Sequence, residues 1–345
     1  MSRSSLAAAV ALACCAAMAC DGGSSDGTAS PDSADVTADL AADTAADSAA
    51  QADAELGPQP DASPAAPYAR CEPSERTGGF VVALGEKSTS VQGGAASGVV
   101  PADVPAVTLD QGECRLLRPP TLFCDPACPS GQACTPSGAC IAYPTKVDIG
   151  TVTISGLSAP VEMKAILPTR IYYFAGDLPH PGFAAGDPIG LSVVGPETVS
   201  LAATGVPALV VETTALAIAR DQPGALKWTA PADPSAARVR IELSIANHGG
   251  TPGRVECLTA DDGSFEIPTA HINALLDLGY SGFPSVSLSR HTADSTQLAT
   301  GCFDLVVESG RTLAVEIPGL TSCSNDDDCE AGQTCGVDLT CGVTR

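Results

Sequence analysis

Cysteine is the residue of this chain with the most chemistry open to it. A thiol can pair into a disulfide, hold zinc as a thiolate or act as a nucleophile. The 345 residues include fifteen cysteines, and they fall into groups. Cys14, Cys15 and Cys20 lie near the start, Cys71 and Cys114 follow, and Cys124, Cys128, Cys134 and Cys140 crowd together. Cys257 and Cys302 stand apart, and Cys323, Cys329, Cys335 and Cys341 close the chain. Beyond residue 20 every group is even, which points to six disulfides formed in an oxidising compartment. Cys71 is expected to bridge to Cys114 across the opening segment, and Cys257 to Cys302 between strands or sheets of the main domain. Zinc is the competing reading of the two four-cysteine clusters, and the absence of CxxC pairs counts against it.

Other side chains offer less. The four histidines, His180, His248, His271 and His291, are scattered, with no pair at ligand spacing. His271, in a helical stretch, reads as a half-buried or exposed polar residue and not as a base. GxSxG, HExxH, Walker-lysine, GxGxxG and EF-hand patterns are absent from the sequence. A catalytic constellation assembled only in space stays open, because triads are defined by geometry and not by order. The densest aromatic cluster is Arg170-Ile171-Tyr172-Tyr173-Phe174, followed by Asp177, His180 and Phe183. If Tyr172 or Tyr173 faces outward, with His180 nearby, the cluster offers a stacking surface to a sugar or peptide; if the rings face inward they are core. Asp326, Asp328 and Glu330, between Cys323 and Cys335, are a weak candidate for calcium, since they lack alternating ligand spacing and a loop glycine. A solvated acidic face is the simpler reading, and Asp261-Asp262-Gly263 reads as a hairpin turn. No cofactor is expected.

The elements that carry these groups begin with an address. Arg3, an uncharged apolar run from Leu6 to Ala19 and small residues before Cys20 make a secretory signal, too short to remain as a membrane span. Ala17-Met18-Ala19-Cys20 resembles a bacterial lipoprotein signal, though that family more often has Leu at the position of Ala17. The resemblance implies cleavage after residue 19, lipidation of Cys20 and permanent anchoring, with a plain cleaved signal as the alternative. The expected address is the outer membrane or cell surface of a bacterial envelope. Asp21 resembles the inner-membrane retention signal of enteric bacteria, a rule that varies between lineages. Residues 20–67 are mostly Ala, Asp, Ser, Thr, Gly and Pro with no Lys or Arg, too poor in large apolar side chains to fold. They read as a disordered tether with a mean span on the order of 40 Å. The net charge of −23 disfavours nucleic acid and anionic headgroups and favours basic partners or divalent cations.

Residues 68–120 read as an opening β segment, 121–143 as a first cysteine-rich module, 144–320 as the main domain and 321–345 as a second module. The modules are internal repeats: Cys128, Gly131, Gln132, Cys134 and Cys140 match Cys329, Gly332, Gln333, Cys335 and Cys341 at identical spacing. Each copy, about 20 residues long, resembles the small cysteine repeats of the Dickkopf amino-terminal and colipase type. That likeness implies staples or spacers without shared catalysis. Pairing of first with third and second with fourth cysteine is preferred, and the sequence leaves the other connectivities open.

The main domain shows short β-prone stretches separated by turns, and Arg238-Val-Arg-Ile-Glu-Leu-Ser-Ile245 alternates polar with apolar side chains. The expected class is mainly β: an antiparallel sandwich or barrel-like domain with one short helix, about 270–278, capped by Thr269 and ended by Gly279. Leu226-Lys-Trp-Thr-Ala-Pro231 followed by Val239-Arg-Ile-Glu-Leu243 is similar to the second and third strands of fibronectin type III domains, with Trp228 as core tryptophan and without the usual tyrosine. The functional expectation is a non-enzymatic, lipid-anchored binding or structural protein. Its partners would be the membrane through the lipid, and an extracellular protein or glycan. The alternatives are a carbohydrate-binding or adhesive module using residues 170–183, and an exported hydrolase.

Overall fold

The computed structural model describes residues 70–245 and 253–343. The signal, Cys20, the 20–67 stretch and the turn carrying His248 lie outside the described residues. The opening region forms β1 (Arg76–Leu84), β2 (Thr89–Ala96), β3 (Ala106–Gln111) and β4 (Cys114–Arg118). The first module contributes β5 (Gln132–Cys134) and β6 (Cys140–Ala142). Then come β7 (Lys146–Val147), β8 (Thr151–Ser155), β9 (Val161–Met163), β10 (Tyr172–Tyr173), β11 (Pro188–Val194) and β12 (Val199–Thr204). The second half holds β13 (Ala215–Ala217), β14 (Gly224–Lys227), β15 (Arg238–Ser244), β16 (Arg254–Ala260) and β17 (Ser264–Ile267). Helix α1 (Thr269–Leu276), β18 (Ser285–Leu298) and β19 (Gly301–Glu316) follow, and the second module adds β20 (Gln333–Cys335) and β21 (Cys341–Val343).

An eleven-stranded mixed sheet runs β10-β2-β1-β19-β18-β15-β16-β4-β3, with β7 beside β2 and β13 beside β19. A second sheet, β12-β11-β8-β9, packs on part of it as a sandwich. Alternation explains the layering: β12 buries every second residue and β15 does the same, so one face of each meets core. Two of the ladders are parallel, because β1 and β13 lie in tandem along the edge of β19 that β18 leaves free.

The 14-residue β18 and 16-residue β19 form a long hairpin that serves two cores. The first core joins Phe80, Val82, Ile154, Leu191, Leu201, Phe303 and Leu305 across the sandwich. The second joins Leu116, Trp228, Ile241, Val255, Leu288, Val315 and the α1 residues Ile272, Leu275 and Leu276. Where the chain passes between them, Arg290 is 2% exposed and its guanidinium pairs with Asp261, which is fully buried. Asp261 also accepts from Trp228 Nε1 at 2.8 Å, and Arg290 donates to the carbonyls of Ala208 (3.2 Å) and Thr229 (2.9 Å). Asp261 is therefore the buried counter-ion of a cationic strut, a role that its Asp-Asp-Gly turn context hides.

The opening stretch is not a separate piece: β1 to β4 are built into the main sheet at two distant places, flanking β19 and β16. This overturns the expected long-range pairings of cysteines. Cys71 bonds to Cys302 and Cys114 to Cys257, the latter two being direct cross-strand neighbours on β4 and β16. Sheet register, and not proximity in sequence, chooses these partners. Within the modules the bonds are Cys124–Cys134, Cys128–Cys140, Cys323–Cys335 and Cys329–Cys341.

One strand lies where the sequence shows little β pattern, and one local expectation is corrected. Strand β2 carries Gly93 and Gly94 inside it. A Cβ at Gly93 would lie 2.6 Å from the Phe80 ring, so the absent side chain lets Phe80 cross the strand and meet Tyr172 edge-on. Helix α1 is preceded at its N-cap by Pro268, with no side-chain cap, so Thr269 is already the first helical residue; Gly279, in the left-handed region, follows its end. No helix among the described residues is long and apolar enough to cross a membrane.

Candidate functional site

The polar positions of β4, β16, β15, β18 and β19 point away from the cores and share the outer face of the large sheet. Arg115 comes from β4, Arg254 and Glu256 from β16, Arg240 and Glu242 from β15, and His291 from β18. Period-two alternation alone puts each outward on its strand, and the register lines them up: Arg115 faces Glu256, which faces Glu242, while Arg238 faces His291. The entry segment from Arg70 to Arg76 and the 96–103 loop form further walls, closing a cleft of about 490 Å³. Five of the chain's thirteen arginines line it: Arg70, Arg76, Arg115, Arg240 and Arg254.

Some of these charges are satisfied internally. Arg115 Nη2 donates to Glu256 at 2.9 Å, and Arg76 pairs at 2.9 Å with Asp304, which is fully buried. Gly79 makes room for that carboxylate, since a Cβ there would stand 2.1 Å from Asp304 Oδ1. Others are held loosely: Arg240 lies 3.5 Å from Glu242 and 3.7 Å from Glu256, and Arg254 Nε lies 3.5 Å from Glu242. Among the described residues six buried side-chain nitrogens have no hydrogen-bond partner, and four of them belong to this cleft: Arg70 Nη1, Arg240 Nε, Arg254 Nε and His291 Nε2. A buried donor left unpaired costs about 1–3 kcal/mol, so these enclosed nitrogens are a local cost built into the walls of the cleft.

Electrostatics sharpens the roles. Burial, then the neighbouring Arg70, pushes the His291 pKa down to about 3, so the ring is neutral at physiological pH. Its Nδ1 lies 3.3 Å from the Ser289 carbonyl oxygen and so carries the proton, leaving Nε2 as a lone-pair acceptor. Burial lowers the Arg70 pKa too, with Arg240 adding to the shift, yet an arginine remains a cation.

A second hollow of about 500 Å³ adjoins the cleft through Arg76, which lines both. Its floor includes Gly78, Gly79, Gly93 and Gly94, and Tyr173, 50% exposed, stands beside it. The aromatic expectation divides here. Tyr172 is buried against Phe80, with its hydroxyl donating to Asp148 at 2.8 Å and accepting from the Ile149 amide; burial, then Asp148, raises its pKa to about 12. It is core and cannot stack on a ligand. Phe183 is core as well, and His180 is exposed and lines neither hollow.

The remaining expected sites resolve into structural roles. His271 is fully buried on the inner face of α1, not half-exposed; enclosure lowers its pKa, with the Cys114 backbone acting in the opposite direction. The sulfurs of Cys124, Cys128 and Cys140, and of Cys323, Cys329 and Cys341, lie within 4.8 Å of one another, but all are bound in disulfides and offer no thiolate to zinc. Asp328 accepts from the Ser324 amide at 2.7 Å and Asp326 from the Cys335 amide at 2.8 Å, so two of the three candidate calcium carboxylates cap the module's own backbone, and Glu330 is exposed. The arginine cleft escaped sequence reasoning because its members lie up to 221 positions apart; the available signal was arginine at the polar positions of alternating strands, as in Arg238-Val239-Arg240. No protein-family model matches the chain, and no curated protein matches it either.

Proposed function

We propose that this is an exported bacterial envelope protein, lipid-anchored through Cys20 at the outer membrane or cell surface, that binds a ligand without transforming it on the arginine-lined face of its large sheet. The observation that carries the binding reading is the convergence of five arginines, from strands far apart in sequence and from the entry segment, on one cleft of about 490 Å³. Export is supported by the signal-like start and by six disulfides, which form and persist in oxidising surroundings. Residues 20–67 would give the binding face its reach from the lipid. A hydrolase draws less support, since His271 and His291 are enclosed and held neutral, and a histidine whose pKa is about 3 is a poor base at neutral pH. The glycan alternative draws on Tyr173 and its glycine-floored hollow.

Two experiments test this. Mass spectrometry of the amino-terminal peptide is expected to find an acylated Cys20, with Cys20→Ser releasing the protein to the soluble fraction; an unmodified first residue refutes the anchor. A thermal-shift screen of small anions and sugars against the mature protein is expected to find stabilising ligands whose effect disappears with Arg240→Gln, and an unresponsive protein refutes the binding face.

A further inference from the structure

The hollow beside the cleft stands apart from most of its arginines, and the inference drawn from it rests on the glycan alternative above. Strand register lays out its surface. Tyr173, Gln92 and Val81 form one cross-strand row on the sheet, and Gly94 and Gly79 form another two residues along β2. A row of side chains therefore stands beside a row with none, which leaves a slot across β1 and β2.

Three of the four glycines in this floor answer to packing. A Cβ at Gly78 would lie 2.8 Å from the Phe303 ring and one at Gly93 2.6 Å from the Phe80 ring, while Gly79 leaves space for Asp304. Gly94 is different. A Cβ there would meet no atom within 4 Å, and its backbone is outside the left-handed region, so neither packing nor conformation calls for glycine. Glycine inside a strand costs stability through chain entropy and lost contacts; one without a packing role keeps backbone open to close approach from outside.

The lining chooses the occupant. The hollow holds about 500 Å³, within the roughly 300–1,000 Å³ of small-ligand sites. Arg76 is the one charged residue among the described residues that line it, and Asp304 answers that charge at 2.9 Å, so an anion gains little. A peptide adding as a further strand finds the edge of β2 taken, by β10 at Gln92 and Gly93 and by β7 at Ala95 and Ala96. What the hollow offers is the half-exposed Tyr173 ring, the exposed Gln92 amide and the apolar Val81 and Ile171. An aromatic ring beside an amide suits a ligand that is apolar on one face and rimmed with hydroxyls.

We infer that this hollow binds a neutral pyranose ring of a glycan, seated over Gly94, stacked on Tyr173 and hydrogen-bonded through its hydroxyls to the Gln92 amide.

The test is an array of immobilised neutral oligosaccharides of glucose, galactose, mannose, xylose and N-acetylglucosamine, with glucuronate-containing oligosaccharides as charged counterparts, probed with the mature, disulfide-intact protein. Binding to at least one neutral series is expected. Tyr173→Ala should weaken it about three- to tenfold, and Tyr173→Phe, which keeps the ring, should retain most of it. Gly94→Val should abolish it while leaving the melting temperature unchanged or raised, because the new side chain fills the slot and suits a strand. A Gly94→Val protein that melts lower gives the glycine a packing role and overturns the assignment. Binding confined to the charged oligosaccharides overturns it too. A neutral-glycan signal that survives both Gly94→Val and Tyr173→Ala overturns this seat and leaves the glycan alternative standing. Silence across the array overturns both, and the arginine cleft is then judged by its own screen.

Discussion

Asp261 offers the most demanding test of how the two cores are held together. It is fully buried and accepts hydrogen bonds from Trp228 Nε1 at 2.8 Å and Arg290 Nη2 at 2.9 Å, with Arg290 Nε as a further donor. Asp261→Ala strands a guanidinium that is 2% exposed, and breaking a buried pair in this way costs about 3–5 kcal/mol. The Trp228 N–H loses its acceptor as well, which adds about 1–3 kcal/mol that overlaps with the first cost. The expected loss is on the order of 5 kcal/mol. With a urea m-value near 3 kcal/mol/M, the unfolding midpoint should fall by roughly 1.5 M, measured with disulfides intact. Asp261→Asn keeps an acceptor for Trp228 but leaves the buried Arg290 without its counter-charge, so it should keep the larger share of the loss and escape only the part owed to the Trp228 N–H. In a double-mutant cycle with Arg290→Met the coupling should reach about 2 kcal/mol, as for partners in one buried network. A coupling near zero, or a midpoint moved by less than about 0.3 M, would refute the idea that this ion pair links the cores.

Three further outcomes are expected. His291 has a folded pKa of about 3 against an ordinary value of 6.5, so the unfolded chain takes up the proton first; stability is complete above about pH 6.5 and falls as pH drops towards 3, by on the order of 4 kcal/mol in all. Urea unfolding at pH 7 and pH 5 measures it, and His291→Gln should flatten the difference. Removing the Cys71–Cys302 bond, which closes a separation of 231, with paired Ala substitutions should cost about 5 kcal/mol, whereas removing Cys124–Cys134, with a separation of 10, should cost about half as much. Tyr172→Phe should lose about 1–2 kcal/mol by removing the hydroxyl bonded to Asp148 and the Ile149 amide, and Tyr173→Ala should leave the melting temperature nearly unchanged; the reverse order would contradict the placement of the two rings.

The sequence is legible wherever one strand faces core on one side and water on the other. β11, β12 and β15 can be read from alternation alone, and the repeated cysteine spacing reveals both modules. Strand β2 is hidden because Gly93 and Gly94 have low β propensity, and their purpose, making room beside Phe80, exists only once β1 lies alongside. β18 and β19 read as short pieces because both faces of their middle sections are covered, by core on one side and by the entry segment on the other, so polar residues such as Arg290, His291 and Asp304 are buried there. The arginine cleft depends on cross-strand register between Arg115, Glu256 and Glu242, information that no single strand contains.

The nesting of the long-range disulfides bears on how the molecule matures. Synthesis delivers Cys71 and Cys114 well before Cys257 and Cys302, yet the finished protein joins the first to the last and the second to the third. An oxidant meeting the nascent chain would join the two early thiols and so hold the first strand away from its place on β19. Correct assembly therefore favours thiols that stay reduced until the carboxyl-terminal hairpin arrives, or an isomerase that reshuffles the premature loop.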